Sequence, residues 1–223
     1  MQRGFKIIAV VVITVLIIFT SLYALMWDMK RRSYSSQYEY QLDIRSDSEI
    51  TNVTVFVPLP EELSEENISA PEGWDVEFHD EMTLNGIEHE NILSVEVDEI
   101  SRYAYRSVSI SMEKEEDIDT QDPWDKEPML GPKNNLIEID CDYPGASESE
   151  VECYRYSGVI YASFEAEENT TTDISLEIYG SNTWWVGGWS GNEYHDRLWV
   201  HIEGNGTGIY EGSGEVRTGV GNY

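Results

Sequence analysis

The sequence predicts an all-β fold, an antiparallel β-sandwich, standing behind one N-terminal membrane-spanning helix. Three observations predict it. Apolar residues alternate with polar ones at period two in successive runs from Tyr38 to Ile202. Residues 7–26, "IIAVVVITVLIIFTSLYALM", hold no charge, proline or glycine. Beyond that run no amphipathic helical period appears.

The apolar run comes first. At about 1.5 Å per residue it makes a helix about 30 Å long, the hydrocarbon thickness of a bilayer. Trp27 follows it, where an interfacial aromatic belongs. The run exceeds the roughly 7–15 residues of a signal-peptide core, and no A-x-A-like site follows. The expected organisation is an uncleaved signal-anchor, with 1–6 a cytoplasmic tail, 7–27 the span and 28–35 a basic juxtamembrane segment. Flanking charge is nearly tied, with Arg3 and Lys6 before the span and Lys30, Arg31 and Arg32, offset by Asp28, after it. Four N-x-[ST] sequons, at Asn52, Asn67, Asn169 and Asn205, and a pair of cysteines decide for an extracellular C-terminal domain, residues 36–223.

The elements that follow read in order. Tyr38, Tyr40, Leu42 and Ile44 alternate with polar residues, then Val53, Val55 and Val57, closed by Pro58 and Pro60. After a charged connector come Val76 and Phe78, then Leu93, Val95 and Val97, then Val108, Ile110 and Met112. Polar opposite faces suit antiparallel sheets with one wet side. Residues 113–135 have no period, three prolines and many acids, and read as a long loop or a sub-domain boundary. Strands resume at Ile137–Cys141, at Cys153 and the residues after it, at Ile174–Ile178 and at Leu198–Ile202. A turn is expected at "YPGASESE", and the glycine-rich tail reads as a last hairpin or an irregular edge. If 137–141 and 153 onward form a hairpin, Cys141 and Cys153 either bridge, for about 2–3 kcal/mol, or pack reduced in the core.

Charge excludes some partners. The chain carries 43 acidic residues against 14 basic ones, a net −29, and two of those basic residues precede the span. Such a surface repels nucleic acid. At molar salt the Debye length is about 3 Å, so the self-repulsion is screened. The acidity therefore reads as salt adaptation, with unfolding expected below about 0.5 M salt.

The densest aromatic stretch is "NTWWVGGWSGNEYHDRLWV", residues 182–200, with four of the seven tryptophans. Stacked rings beside glycines suit a saccharide, which makes Trp184, Trp185, Trp189 and Tyr194 the candidate ligand-binding residues. Alternation also assigns some of these rings to a core, because Trp184 and Trp185 must face opposite sides of a strand. His195 and His201 match no zinc spacing and read as surface histidines. Asp117, Asp119, Asp122 and Asp125 have an oxygen-rich spacing of the kind calcium takes, but the glycine of an EF-hand loop is missing. No catalytic signature stands out, since "GWSGN" is one residue short of G-x-S-x-G. No cofactor is expected.

Taken with the anchor, "ITNVTVFVPLP" at 50–60, "WWVGGWSGNEYHD" at 184–196 and "TGVGNY" at 218–223 resemble membrane-anchored surface proteins of halophilic archaea. That resemblance implies location and lineage, not an activity. "RGFKIIAVVV" also resembles the processing site of archaeal type IV pilins and implies cleavage after Gly4, although Ala9 stands where bacterial pilins carry Glu, and Lys6 and the basic cluster at 30–32 interrupt a filament-core helix. The expected role is a non-enzymatic cell-surface binding or structural module, meeting an envelope glycan or a surface-layer protein. The alternatives are a pilin-like filament subunit and a saccharide-binding or saccharide-active domain.

Overall fold

Among the described residues, eleven antiparallel strands are hydrogen-bonded into one sheet. The computed structural model describes residues 2–60, 63, 67–84, 86–131, 136–141 and 151–221. The turn expected at 143–150, the last two residues of "TGVGNY" and the Asp125 side chain lie outside this description. The chain begins with a helix, α1 (Gln2–Ser33). The first six strands are β1 (Ser35–Ser46), β2 (Ile50–Pro58), β3 (Ile68–Ser69), β4 (Asp75–Leu84), β5 (Ile87–Ile100) and β6 (Tyr105–Lys114). A loop with a 3-10 turn at Pro123–Asp125 follows. Then come β7 (Ile137–Ile139), β8 (Glu152–Glu165), β9 (Thr171–Trp185), β10 (Trp189–Glu203) and β11 (Gly206–Gly221).

Within α1, Val10–Ser33 is long and apolar enough to cross a membrane, and none of its most apolar window is buried against the rest of the chain. A helix apolar on all sides has no face to lay on a soluble core, and its length and composition are compatible with a single-pass membrane anchor.

The strand order is β3-β6-β1-β9-β10-β11-β8-β2-β5-β4, with β7 also pairing β8. Residues 47–49 join β1 to β2, which lie five places apart in that order. Four Cα steps reach about 15 Å at most, whereas five strand spacings in a flat sheet span about 24 Å. The sheet must therefore curl until its halves face each other. The turn at 101–104 likewise joins β5 to β6, which lie seven places apart in that order. Tyr40 on β1 donates its hydroxyl to the Pro58 carbonyl at the end of β2, 3.1 Å away, tying the layers together. The expected sandwich is thus built from one curled sheet. Between its layers lie Tyr40, Leu42 and Ile44, Val53, Val55 and Val57, Leu93 and Val95, Val108 and Ile110, and Ile174, Leu176 and Ile178.

The glycine-rich tail differs from its expectation. β11 is an interior strand between β10 and β8, not an edge. Its glycines are a packing requirement. A Cβ on Gly214 would stand 2.1 Å from the Tyr156 ring, and one on Gly206 would stand 2.7 Å from Phe164. Large rings on β8 take the space that β11 side chains would fill.

Cys141 and Cys153 form a disulfide with Cα atoms 5.4 Å apart. The pairing of Ile139 with Cys153 brings the next residues of the β7 chain within reach of β8.

Candidate functional site at the base of the sheet

β1, β9 and β10 run further toward α1 than β2 does. Tyr40 already sits opposite the end of β2. The core-facing residues beyond it, among them Ser36, Tyr38, Asn182, Tyr194 and Asp196, are buried. The 115–131 part of the acidic loop covers them. It lies on the sheet as a strap, held by its backbone through three buried polar side chains of the sheet and one of its own.

Asn182 is the first of these. Its Oδ1 accepts from Ile118 N at 2.9 Å and Ser36 Oγ at 2.8 Å, while its Nδ2 donates to Ile118 O and Asn192 Oδ1, both at 2.8 Å. Glu127 accepts from Asp119 N at 2.8 Å and Lys114 Nζ at 2.7 Å, and also from the Tyr38 hydroxyl. Asp196, with no exposed surface, accepts from Leu130 N, Gly131 N and the Tyr156 hydroxyl at 2.7, 3.0 and 2.6 Å. Tyr194, equally buried, donates to Pro128 O at 2.7 Å. A bulge in β11 adds one more bond. Gly219, at φ 71°, turns its amide onto Thr120 O, 2.7 Å away. Burial pushes the Asp196 carboxyl above its ordinary range, against the three donors that favour its charge.

α1 is clipped to the same end of the sheet. Ser33 Oγ accepts from Trp185 N at 2.8 Å. Tyr34 lies parallel to Trp184 with centroids 6.0 Å apart, and Lys30 Nζ stands 4.2 Å from the same ring. Between helix end, strap and β9–β10 opens a cavity of about 680 Å³. Trp27, Lys30, Arg31, Tyr34 and Trp184 form one wall. Glu115, Asp117 and residues 118–121 form the other, with Asn182 and Asn192 at the back. Burial, followed by Asp117, raises the Tyr34 hydroxyl pKa, so it remains a donor. Aromatic faces, two cations and three carboxylates in one recess can hold a small polar ligand that has an apolar side.

The structure separates the four aromatic candidates. Trp184 is 8% exposed, on the core face, and borders the cavity. Trp185 is 38% and Trp189 73% exposed, on the hairpin tip outside it. Tyr194 is structural, because its ring fills the space above Gly180 and its hydroxyl holds the strap. Asp117 and Asp119 both line the cavity, and Asp119 also accepts from Lys126 Nζ at 2.7 Å and Asp122 N at 3.1 Å. Among the described residues no three acidic, histidine or cysteine side chains converge as a metal site. All four sequon asparagines are exposed, and Asn52, Asn169 and Asn205 lie at the end of the sheet far from α1.

Sequence reasoning missed Lys30, Arg31, Tyr34 and Asn182. Only the basic run after the anchor hinted at the first two. It also missed a cluster on the outer face of β9 and β10. There Glu177 accepts from Tyr179 Oη at 2.7 Å and pairs with Arg197 Nε at 3.0 Å, while His195 stacks on Tyr179 at 4.2 Å. His195, then the Tyr179 hydroxyl and Arg197, hold the Glu177 carboxyl down at about 2. Beside them a groove of about 340 Å³ runs past Gln41, Asp43 and Trp199. No family model, characterised protein or solved structure matches this chain.

Proposed function

We propose that this chain is a single-pass, salt-adapted surface protein whose extracellular β-domain binds a small polar ligand in the cavity at its base. The observation that carries this reading is the cavity itself, a recess walled jointly by the end of the anchor and the strapped sheet. Its ring, cation and carboxylate lining suits recognition of an envelope glycan or of a surface-layer component that carries one. The disulfide and the four exposed sequons favour an oxidising, extracellular side. The net charge of −29 favours a high-salt habitat, in keeping with the resemblance to halophilic archaeal surface proteins.

Three measurements test it. A cysteine placed at exposed Glu116 should react with an impermeant maleimide on intact cells, and labelling only after lysis reverses the orientation. Circular dichroism across a salt titration should lose its β signal below about 0.5 M salt, and a native spectrum in dilute buffer removes the adaptation. Envelope polysaccharide should shift the emission of wild type but not of Trp184→Leu. Equal shifts in both place the glycan elsewhere.

A further inference from the structure

We infer that the β9–β10 hairpin tip, Trp185 to Trp189, is a second membrane contact that rests in the lipid interface beside α1. This rests on the reading of α1 as a membrane span. The register puts Thr183 opposite Ser35, the first residue of β1. Trp184 to Trp189 therefore project past the start of the sheet, alongside the last turns of the helix. Two contacts hold them there: the 2.8 Å bond from Trp185 N to Ser33 Oγ, and Lys30 Nζ over Trp184. β9 ends at Trp185, level with Ser33. The tight turn 186–188 and the exposed rings of Trp185 and Trp189 form the tip, while Trp27 lies about 9 Å below Ser33 along the helix. The tip thus reaches toward the level at which Trp27 leaves the hydrocarbon.

Its chemistry fits that level. Trp185 and Trp189 are directly paired across the hairpin, and both are exposed. No charged residue lies between Glu177 and Glu193, in a chain that is 26% charged. The far-end turns differ. The β1–β2 turn carries Asp47 and Glu49, and the β8–β9 turn carries Glu167 and Glu168. Water suits those turns, whereas the tip offers large rings with polar edges and no carboxylate to desolvate. Lys30, Arg31 and Arg32 close the last turns of the helix, Lys30 over Trp184 and Arg32 paired with Asp28 at 2.9 Å, which places cationic side chains beside the tip. Two contacts instead of one would fix the tilt of the β-domain over the bilayer.

The test uses the full chain in phosphatidylcholine vesicles at molar salt, with acyl chains brominated near the headgroup as the quencher. Trp27→Phe should lower the quenched emission, and the double variant W185S/W189S should lower it further, by about twofold relative to wild type. Quenching that responds to Trp27→Phe but not to the double variant overturns the hairpin contact and leaves the anchor standing. Quenching that responds to neither overturns both. As an independent probe, Gly188→Cys adds a side chain into open space, and its thiol can carry an environment-sensitive dye. The dye emission should shift to the blue in vesicles relative to the detergent-free far-end control Glu168→Cys. Identical spectra at the two positions count against the contact.

Discussion

The Tyr156 hydroxyl meets the Asp196 carboxylate at 2.6 Å in a site without solvent, and the same carboxylate holds the amides of Leu130 and Gly131. One side chain on β10 thus ties β8, the strap and the sheet together. Asp196→Ala strands three buried donors, each worth about 1–3 kcal/mol when unsatisfied. A loss of about 3 kcal/mol is expected in denaturant unfolding at molar salt, along with faster proteolysis within 115–131. Asp196→Asn keeps one acceptor for the two amides and should cost about 1 kcal/mol.

Gly180 and Tyr194 are paired across β9 and β10, and a Cβ at 180 would fall 2.1 Å from the Tyr194 ring. Gly180→Ala should therefore destabilise by about 1–3 kcal/mol through overpacking. Combining it with Tyr194→Ala should cost less than the sum of the two single changes, because the clash and its partner disappear together. Additive losses in a double-mutant cycle would show that Gly180 serves some other purpose.

Glu177 supplies a pH signature. Its carboxyl is held at about 2 by His195, Tyr179 and Arg197, below the ordinary 4.5. A folded value below the unfolded one means stabilisation that is present above pH 4.5 and is lost as pH falls toward 2. The stability gap between wild type and Glu177→Gln should be widest above pH 4.5 and close on acidification. A gap that grows in acid contradicts this.

The Cys141–Cys153 bridge closes a short loop, 12 residues in separation, so the chain-entropy model gives about 2–3 kcal/mol for it. Replacing both cysteines by serine should lower the unfolding midpoint accordingly. The remaining sheet should keep its circular dichroism, since β7 has only three residues at the margin of β8.

Strand identity was legible because a period of two is a local property. Tyr38 to Ile44, Val53 to Val57 and Ile174 to Ile178 were recognised residue by residue, and each lines the core. The same alternation separated Trp184 from Trp185, and the uncharged run of 7–26 sufficed for the apolar helix. β11 was misread because its glycines signal a turn by composition. Their actual cause, the rings of Tyr156 and Phe164 on β8, sits some fifty residues away.

By itself, then, the sequence determined an apolar N-terminal helix, an all-β domain, a bridgeable cysteine pair and a strongly acidic surface. Tertiary structure decided that the acidic loop is a strap, that Tyr194 is buried while Trp189 is exposed, and that Trp184 meets Lys30 and Tyr34. The physical reason is range. Burial patterns follow from neighbours two residues apart, whereas Ser33 with Trp185 and Asp196 with Leu130 are hydrogen bonds across 152 and 66 residues. Such pairs leave no periodic trace, and only a curled sheet brings them together.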